Sequence, residues 1–413
     1  QITNGVATAA QGALADTAVQ PEDFSTGFGT TVSTVIDYSS EGTFSVPSTI
    51  INTTPSGESF NYGKFDGNST HVAYYFTNPK KVSLFTKDGS LVGSTNLTKF
   101  GGFTFTEEHL AVHDAGIVTV YDMDMNVVNT FSVSMDSVNS LQPRPMVFSG
   151  DTLIVATGSV GATLKVYNWT TGADVSTISL TARTTDLKGM PPIEPTDMSV
   201  SGNKLFVGNI RSGTSYFNGG VHVVDLTSYT EINVINSPVG GKEGFGYHLE
   251  SDDEYLVVWR SRKDEGSNER INGALEFYSV SDYTHLGTVK EGTAHSFNDL
   301  DFAGNPSFKG FDLVDGYVIA SSSHHLDNKL YFINCGDLST HSINMESALG
   351  LDHATVGMVN VCGADIMLTF AHRHQYNGNL EDFLVKVTAE SFSATTSFVV
   401  DDSLFATKDY VDS

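Results

Sequence analysis

Apolar residues in this chain come in short runs closed by polar turns, and no stretch keeps the three-to-four-residue spacing of an amphipathic helix. Residues 244–280, GFGYHLESDDEYLVVWRSRKDEGSNERINGALEFYSV, show the grammar most clearly. Gly-Phe-Gly-Tyr opens a strand, and the acidic turn at Ser251, Asp252 and Asp253 reverses it. Residues 255–259 form a β-rich apolar run, a long polar loop follows, and residues 274–280 alternate polar and apolar as a half-buried strand does.

The same wording recurs along the chain. Apolar runs behind a Gly, Asp or Asn turn fall at residues 72–76, 110–113, 153–156, 205–207, 256–259, 318–320 and 366–370. Each is followed by a second run, at 82–85, 117–121, 164–167, 221–224, 275–278, 330–333 and 383–387. One such sheet cannot bury both of its faces alone, so repeated units are expected to stack. A period of roughly 40 to 60 residues is that of four-stranded propeller blades. The pattern therefore predicts an all-β protein, a β-propeller of about seven four-stranded blades. Residues 30–48 read as a hairpin and are expected to close the ring beside the last blade, because closure removes sheet edges that would otherwise expose unpaired backbone. Phe206, Trp259, Tyr278 and Phe332 lie on apolar strands and are assigned to packing between blades.

Composition sharpens this picture. The 413 residues are 39% hydrophobic with 26 Phe, enough for a large core, and contain no apolar run long enough to span a bilayer. Forty-eight Asp and Glu against 22 Lys and Arg give a net charge of −26, which argues against nucleic acid and anionic membranes as partners. Two cysteines, Cys335 and Cys362, lack metal or disulfide-framework spacing and read as buried thiols. The chain opens on Gln1 without a signal sequence, as a processed product or a piece of something longer would.

The two ends differ from the body. Residues 1–29 include NGVATAAQGALADTAVQP, an Ala-rich stretch that can form a thin helix closed by Pro21; such a helix is marginal alone and is expected to pack against identical copies or a neighbour. This stretch resembles the Ala-rich linkers of bacteriophage tail fibres, and residues 404–413, LFATKDYVDS, resemble another fibre element of the form A-T-K-x-Y-V-D. The resemblance divides the chain into an N-terminal connector (1–29), a propeller (30–402) and a C-terminal connector (403–413). Within the body, SGNKLFVG at 201–208, GGVHVVD at 219–225 and GFGY at 244–247 resemble the FG-GAP type of propeller repeat. That family's acidic calcium loop is missing; Asp122, Asp124 and Asn126 match it in part, lack its Gly, and read as a plain hairpin turn.

No nucleophile elbow, phosphate-cradling loop, zinc-protease or dinucleotide motif is present, so neither an enzyme nor a cofactor is expected. Long loops between the second and third strands of units four to seven instead gather Arg211, Tyr216, Arg260, Arg262, Arg270, His324, His325, His372, Arg373 and His374 in a chain otherwise poor in cations. Loops on a rigid scaffold are where binding sites concentrate, and Arg beside aromatic groups suits sugars and acidic ligands. The histidines lack a tetrahedral spacing, and no metal is assigned. What the fibre resemblance implies is a non-enzymatic virion appendage protein, extracellular on the tail or particle surface, held by other virion or tail proteins and attaching through these loops to a bacterial surface glycan or protein receptor. The competing readings are a purely structural virion module, a glycan-cleaving propeller enzyme and a secreted bacterial adhesin.

Overall fold

The computed structural model describes residues 48–51, 64–77, 79–133, 145–157, 163–181, 194–210, 219–238, 245–260, 274–290, 310–321, 329–344, 354–363, 365–373 and 380–388. These residues form seven four-stranded antiparallel sheets. Sheet 1 runs Phe65–Gly67, His71–Thr77, Lys80–Thr86, Leu91–Asn96, and sheet 2 Phe100–Phe105, His109–Asp114, Ile117–Asp122, Val127–Ser132. Sheet 3 is Met146–Ser149, Thr152–Ala156, Thr163–Asn168, Asp174–Ser179, and sheet 4 Glu194–Ser201, Lys204–Ile210, Gly220–Asp225, Thr230–Asn236. Sheet 5 is Phe245–Ser251, Tyr255–Arg260, Ala274–Ser279, His285–Lys290, and sheet 6 Phe311–Val314, Tyr317–Ser321, Lys329–Asn334, Thr340–Asn344. Sheet 7 takes Ala354–Cys362, Asp365–Arg373 and Leu380–Thr388 from the end of the chain and Ser48–Ile51 from its beginning.

First strands touch first strands from one sheet to the next, and Phe65–Gly67 of sheet 1 touches Ala354–Cys362 of sheet 7. The architecture is an all-β propeller. Burial follows from it: in sheets 1 to 6 the second strand is covered on both faces, so Leu153, Ile154, Val155 and Ala156 are all buried in an uninterrupted apolar run, whereas the fourth strand faces solvent and alternates. The core lies between sheets. One cluster runs from Ala73 to Val224 through sheets 1 to 4, a second joins sheets 4 and 5 around Phe206, Phe245 and Tyr278, and a third joins sheets 5 and 6 around Phe277 and Tyr331. Phe65, Tyr74 and Phe85 of sheet 1 pack with Met358, Cys362 and Met367 of sheet 7.

Local chemistry repeats with the sheets. Among the described residues, the third strand of sheets 2 to 6 ends on a side chain that caps the following turn: Asp122 accepts from the N–H of Asp124 and Asn126, Asn168 from Thr171, Asp225 from Thr227, Ser279 from Ser281 and Asn334 from Gly336. The turn then needs one left-handed residue, which is Gly89, Met125, Gly172, Tyr229, Tyr283 or Leu338 in sheets 1 to 6. In sheets 1 to 5 the fourth strand re-enters with a one-residue register shift, a β-bulge that bends the outer edge. The acidic stretch at Asp122 is thus a hairpin turn whose carboxylate serves the backbone; hydrogen bonds from Asn126 hold that carboxyl below its ordinary range.

The strand that completes sheet 7 starts at the last residue of the expected hairpin. Ser48–Ile51 pairs antiparallel with Leu380–Thr388, Ser48 opposite Val387 and Ile51 opposite Leu384, so among the described residues this strand covers the edge. The predicted hairpin up to residue 47, the Ala-rich connector 1–29 and the connector 403–413 lie outside the described residues. Phe206, Tyr278 and Phe332 are buried as expected, but Trp259 is only partly so, packed at the edge of the cluster between sheets 5 and 6. Cys335 and Cys362 are buried free thiols.

Candidate functional site: the face that carries the long connections

Antiparallel order sends the two ends of every blade to opposite faces. On one face lie the turns from first to second and from third to fourth strand, none longer than five residues. On the other lie the strand ends joined by all the connections from second to third strand and from each sheet to the next, and every connection longer than five residues joins ends there: residues 52–64, 133–145, 157–162, 180–193, 211–219, 237–244, 261–273, 291–310, 322–328, 345–353 and 374–379. Second-to-third connections are tight in sheets 1 and 2, at residues 78–79 and 115–116, and lengthen from sheet 3 onward, so one face is built up on one side.

The strands run further toward this face than the sequence suggested. Arg260 is the last residue of its strand, not the first of a loop; its side chain is 2% exposed, and Nε donates to Glu276 Oε1 at 2.6 Å. A receptor cannot reach it there, which removes it from the contact set. His372 and Arg373 also lie on a strand, the one ending sheet 7's second element. Arg211, Tyr216, Arg262, Arg270, His324, His325 and His374, and the side chains of His372 and Arg373, fall outside the described residues.

Arg260 belongs to a buried polar brace. Glu276, fully buried at the centre of sheet 5, accepts from Arg260 on one side strand and, through Oε2, from His285 Nε2 at 2.9 Å and Thr288 Oγ1 at 2.5 Å on the other. Sheet 4 carries a counterpart. His222, also buried, shares Nδ1 with Glu231 Oε2 at 2.7 Å and Nε2 with Asn209 Nδ2 at 3.1 Å, and Glu231 Oε2 accepts the Thr181 N–H at 3.0 Å. Since the carboxylate can only accept, Nδ1 carries the proton toward Glu231 and Nε2 accepts from Asn209. Asn209 and Arg260 stand at the roots of connections 211–219 and 261–273, and Thr181 at the root of 182–193. Such groups tolerate burial only when fully paired, and once paired they fix strand ends in one geometry.

Sequence reasoning missed these braces, although a signal existed. His222 interrupts Val221 and Val223, and Glu276 interrupts Leu275 and Phe277; each finds its partner nine residues on, as Lys165 does at Asp174 in sheet 3. An ionisable residue inside an apolar run with an opposite partner at that spacing marks a third-to-fourth strand pair. Close backbone approach also sets this sector apart. A Cβ on Gly219 would lie 1.8 Å from the Phe245 carbonyl oxygen, and one on Gly208 2.2 Å from that of Gly246, so the first strand of sheet 5 presses directly on sheet 4.

Solved structures share this geometry. The WD40 domain of Neurospora crassa Pan2 superposes with a TM-score of 0.53 at 9% identity, covering 79% of this chain and 88% of that one. The β-propeller domain of Myceliophteria thermophila Cps50 (Swd1) gives 0.53 at 11% identity, with 83% and 99% covered. A chain of the mitotic checkpoint complex gives 0.50 at 12% identity, with 81% and 94% covered. No family model matches the chain, and no curated protein matches it in sequence. At such identities the likeness shows the fold alone.

Among the described residues no three His, Cys, Asp or Glu side chains gather where they could hold a metal ion, and no helix is long and apolar enough to cross a membrane.

Proposed function

We propose that the seven sheets close as the blades of one ring, and that this ring is the receptor-binding head of a non-enzymatic virion appendage protein. Its built-up face attaches to a bacterial surface glycan or protein through the connections of sheets 4 to 7. The observation that carries the reading is that the strand ends joined by the long connections share one face, and that buried polar groups hold those ends in sheets 4 and 5. A scaffold that fixes loop roots and leaves the loop sequence free to vary suits recognition. The terminal resemblance to tail-fibre linkers supplies the virion context.

The contact set is Arg211, Tyr216, Arg262, Arg270, His324, His325, His372, Arg373 and His374, with Arg260 serving beneath them as a brace. Screening at physiological salt confines the repulsion from a net charge of −26 to about 8 Å, so a local cationic group can still capture an acidic polysaccharide. The test is adsorption of particles carrying Arg262→Glu and Arg270→Glu, together with competition by the purified protein. Reduced adsorption with an unchanged unfolding midpoint, and wild-type binding that weakens as salt rises, supports attachment. Adsorption equal to the parent's makes the propeller a structural virion module.

A further inference from the structure

The outer strands follow a rule that two adjacent sheets break. In sheets 1 to 5 the residue that bulges out of the third-to-fourth strand pairing is Val92, Val128, Val175, Ile232 or Leu286, apolar every time. The residue before it, opposite the penultimate residue of the third strand, is Asp174, Glu231 and His285 in sheets 3 to 5, where it bonds Lys165, His222 and Glu276. Sheets 1 and 2 place Leu91 and Val127 there instead. These two are 58% and 62% exposed, more than any other large apolar side chain among the described residues, and Val128 is 48% exposed. Met125 joins the two sites. It belongs to the outer turn of sheet 2 and sits on the fourth strand of sheet 1, where a Cβ on Gly93 would lie 3.0 Å from its Cγ. Gly93 is two residues from Leu91 and Met125 two from Val127, so Leu91, Met125, Val127 and Val128 form an apolar patch across the junction of sheets 1 and 2, on the rim of the face opposite the long connections.

An exposed apolar patch rimmed by polar residues marks a contact with another protein, and methionine adapts to whatever apolar groups arrive. The rim sets the charge of that partner. Asp122 and Asp124 alternate with Met123 and Met125 in the outer turn of sheet 2. Hydrogen bonds from uncharged donors, the Asn126 side chain first, hold the Asp122 carboxyl below its ordinary range, so it is anionic at neutral pH; its basic neighbour His109 leans on Trp169, with ring centres 4.6 Å apart. Asp124 is exposed, and the imidazole beside it, His71, is pushed down by burial more than Asp124 pushes it up, so at neutral pH it is uncharged and does not offset that carboxylate. Lys87, the cation of the corresponding turn in sheet 1, is turned to Asp365 of sheet 7 at 3.5 Å. With a net charge of −26, a second copy of the chain is repelled and a cationic one attracted. We propose that this patch docks a segment of another protein in which apolar side chains stand between lysines or arginines, the apolar ones against Leu91, Met125 and Val127 and the basic ones against Asp122 and Asp124. The site is on the opposite face from the proposed attachment loops and does not depend on them.

The test is fluorescence anisotropy of a labelled peptide of alternating lysine and leucine, about twelve residues long, titrated with the full chain at roughly 0.15 M salt, where diffuse attraction to an acidic protein is screened. The expected result is saturable binding, weakened about tenfold by Leu91→Thr with Val127→Thr, severalfold by Asp124→Asn, and unchanged by Ile232→Thr, a comparably exposed apolar residue on sheet 4. Threonine keeps β propensity at these exposed positions and should leave the unfolding midpoint where it is. A lysine–serine peptide of the same length should bind far more weakly than the lysine–leucine one. The proposal is overturned by a double variant that binds like the wild type, by equal weakening in Ile232→Thr, by equal binding of the two peptides, or by self-association of the wild type that the double variant abolishes, which would give the patch to a second copy.

Discussion

Replacing Arg260 by Met decides whether this residue is a loop cation or a structural brace. As a loop residue it would be replaceable within about 0.5 kcal/mol, the usual range for exposed positions. As placed, it is 2% exposed and donates at 2.6 Å to a carboxylate with no exposure at all. Removing it leaves Glu276 buried with His285 and Thr288 still attached but its strongest charge partner gone. Breaking a buried pair from one side costs about 3–5 kcal/mol; the two remaining donors put the expected value near the lower end, about 3 kcal/mol. Replacing both partners, Arg260→Met with Glu276→Leu, removes the orphaned charge and should recover most of that loss. Urea unfolding of the two single variants, the double variant and the parent closes a double-mutant cycle, with a coupling of at least about 1.5 kcal/mol expected between contacting residues. A midpoint for Arg260→Met indistinguishable from the parent's, or additive losses in the double variant, would refute the brace.

Three further outcomes follow from the same coordinates. Trp259→Ala should cost about 3 kcal/mol or less, the low end for a large aromatic, because the ring is only partly buried; a loss above about 5 kcal/mol would mean the indole is enclosed. Deleting residues 48–51 should bare the edge of Leu380–Thr388 and produce concentration-dependent aggregation in size-exclusion chromatography, whereas a monomeric deletion variant would show that this edge needs no cover. Burial, with a smaller contribution from the Asp252 carboxylate, pushes the Cys335 thiol up from 9.0 to about 12. Because the folded value is the higher one, its stabilisation is complete below about pH 9 and is lost as pH rises toward 12. Cys335 should therefore resist alkylation at pH 8 until the chain is unfolded, and rapid labelling of the native protein would contradict its placement.

How much of this was readable from the chain depends on the range of the forces involved. Strand positions were, because a strand covered on both sides must be apolar throughout: the runs at 153–156 and 256–259 could hardly be anything else. Turns were as well, since Asp122, Asn168 and Asp225 cap them through their own side chains within four residues. That a second segment must cover the last sheet follows from the cost of a bare edge, and the N-terminal region was the natural candidate.

Only the tertiary structure could decide the rest, because it depends on groups distant in sequence. The covering strand is residues 48–51 because those are the ones that pair with residues 384–387, a contact whose register no local pattern encodes. Arg260 looks like the first of a cluster of loop cations when read along the chain, since Arg262 and Lys263 follow it. It is a core residue because Glu276, sixteen positions away, offers a buried carboxylate across the strand pair. A cavity among the first strands is likewise invisible in the sequence: Asp66, Asp197 and Glu250 share no motif, and they line one cavity only because the fold brings five first strands together. Sequence alone determined which residues become strands and turns, through local burial and local hydrogen bonding. The packing of the sheets determined which charges meet.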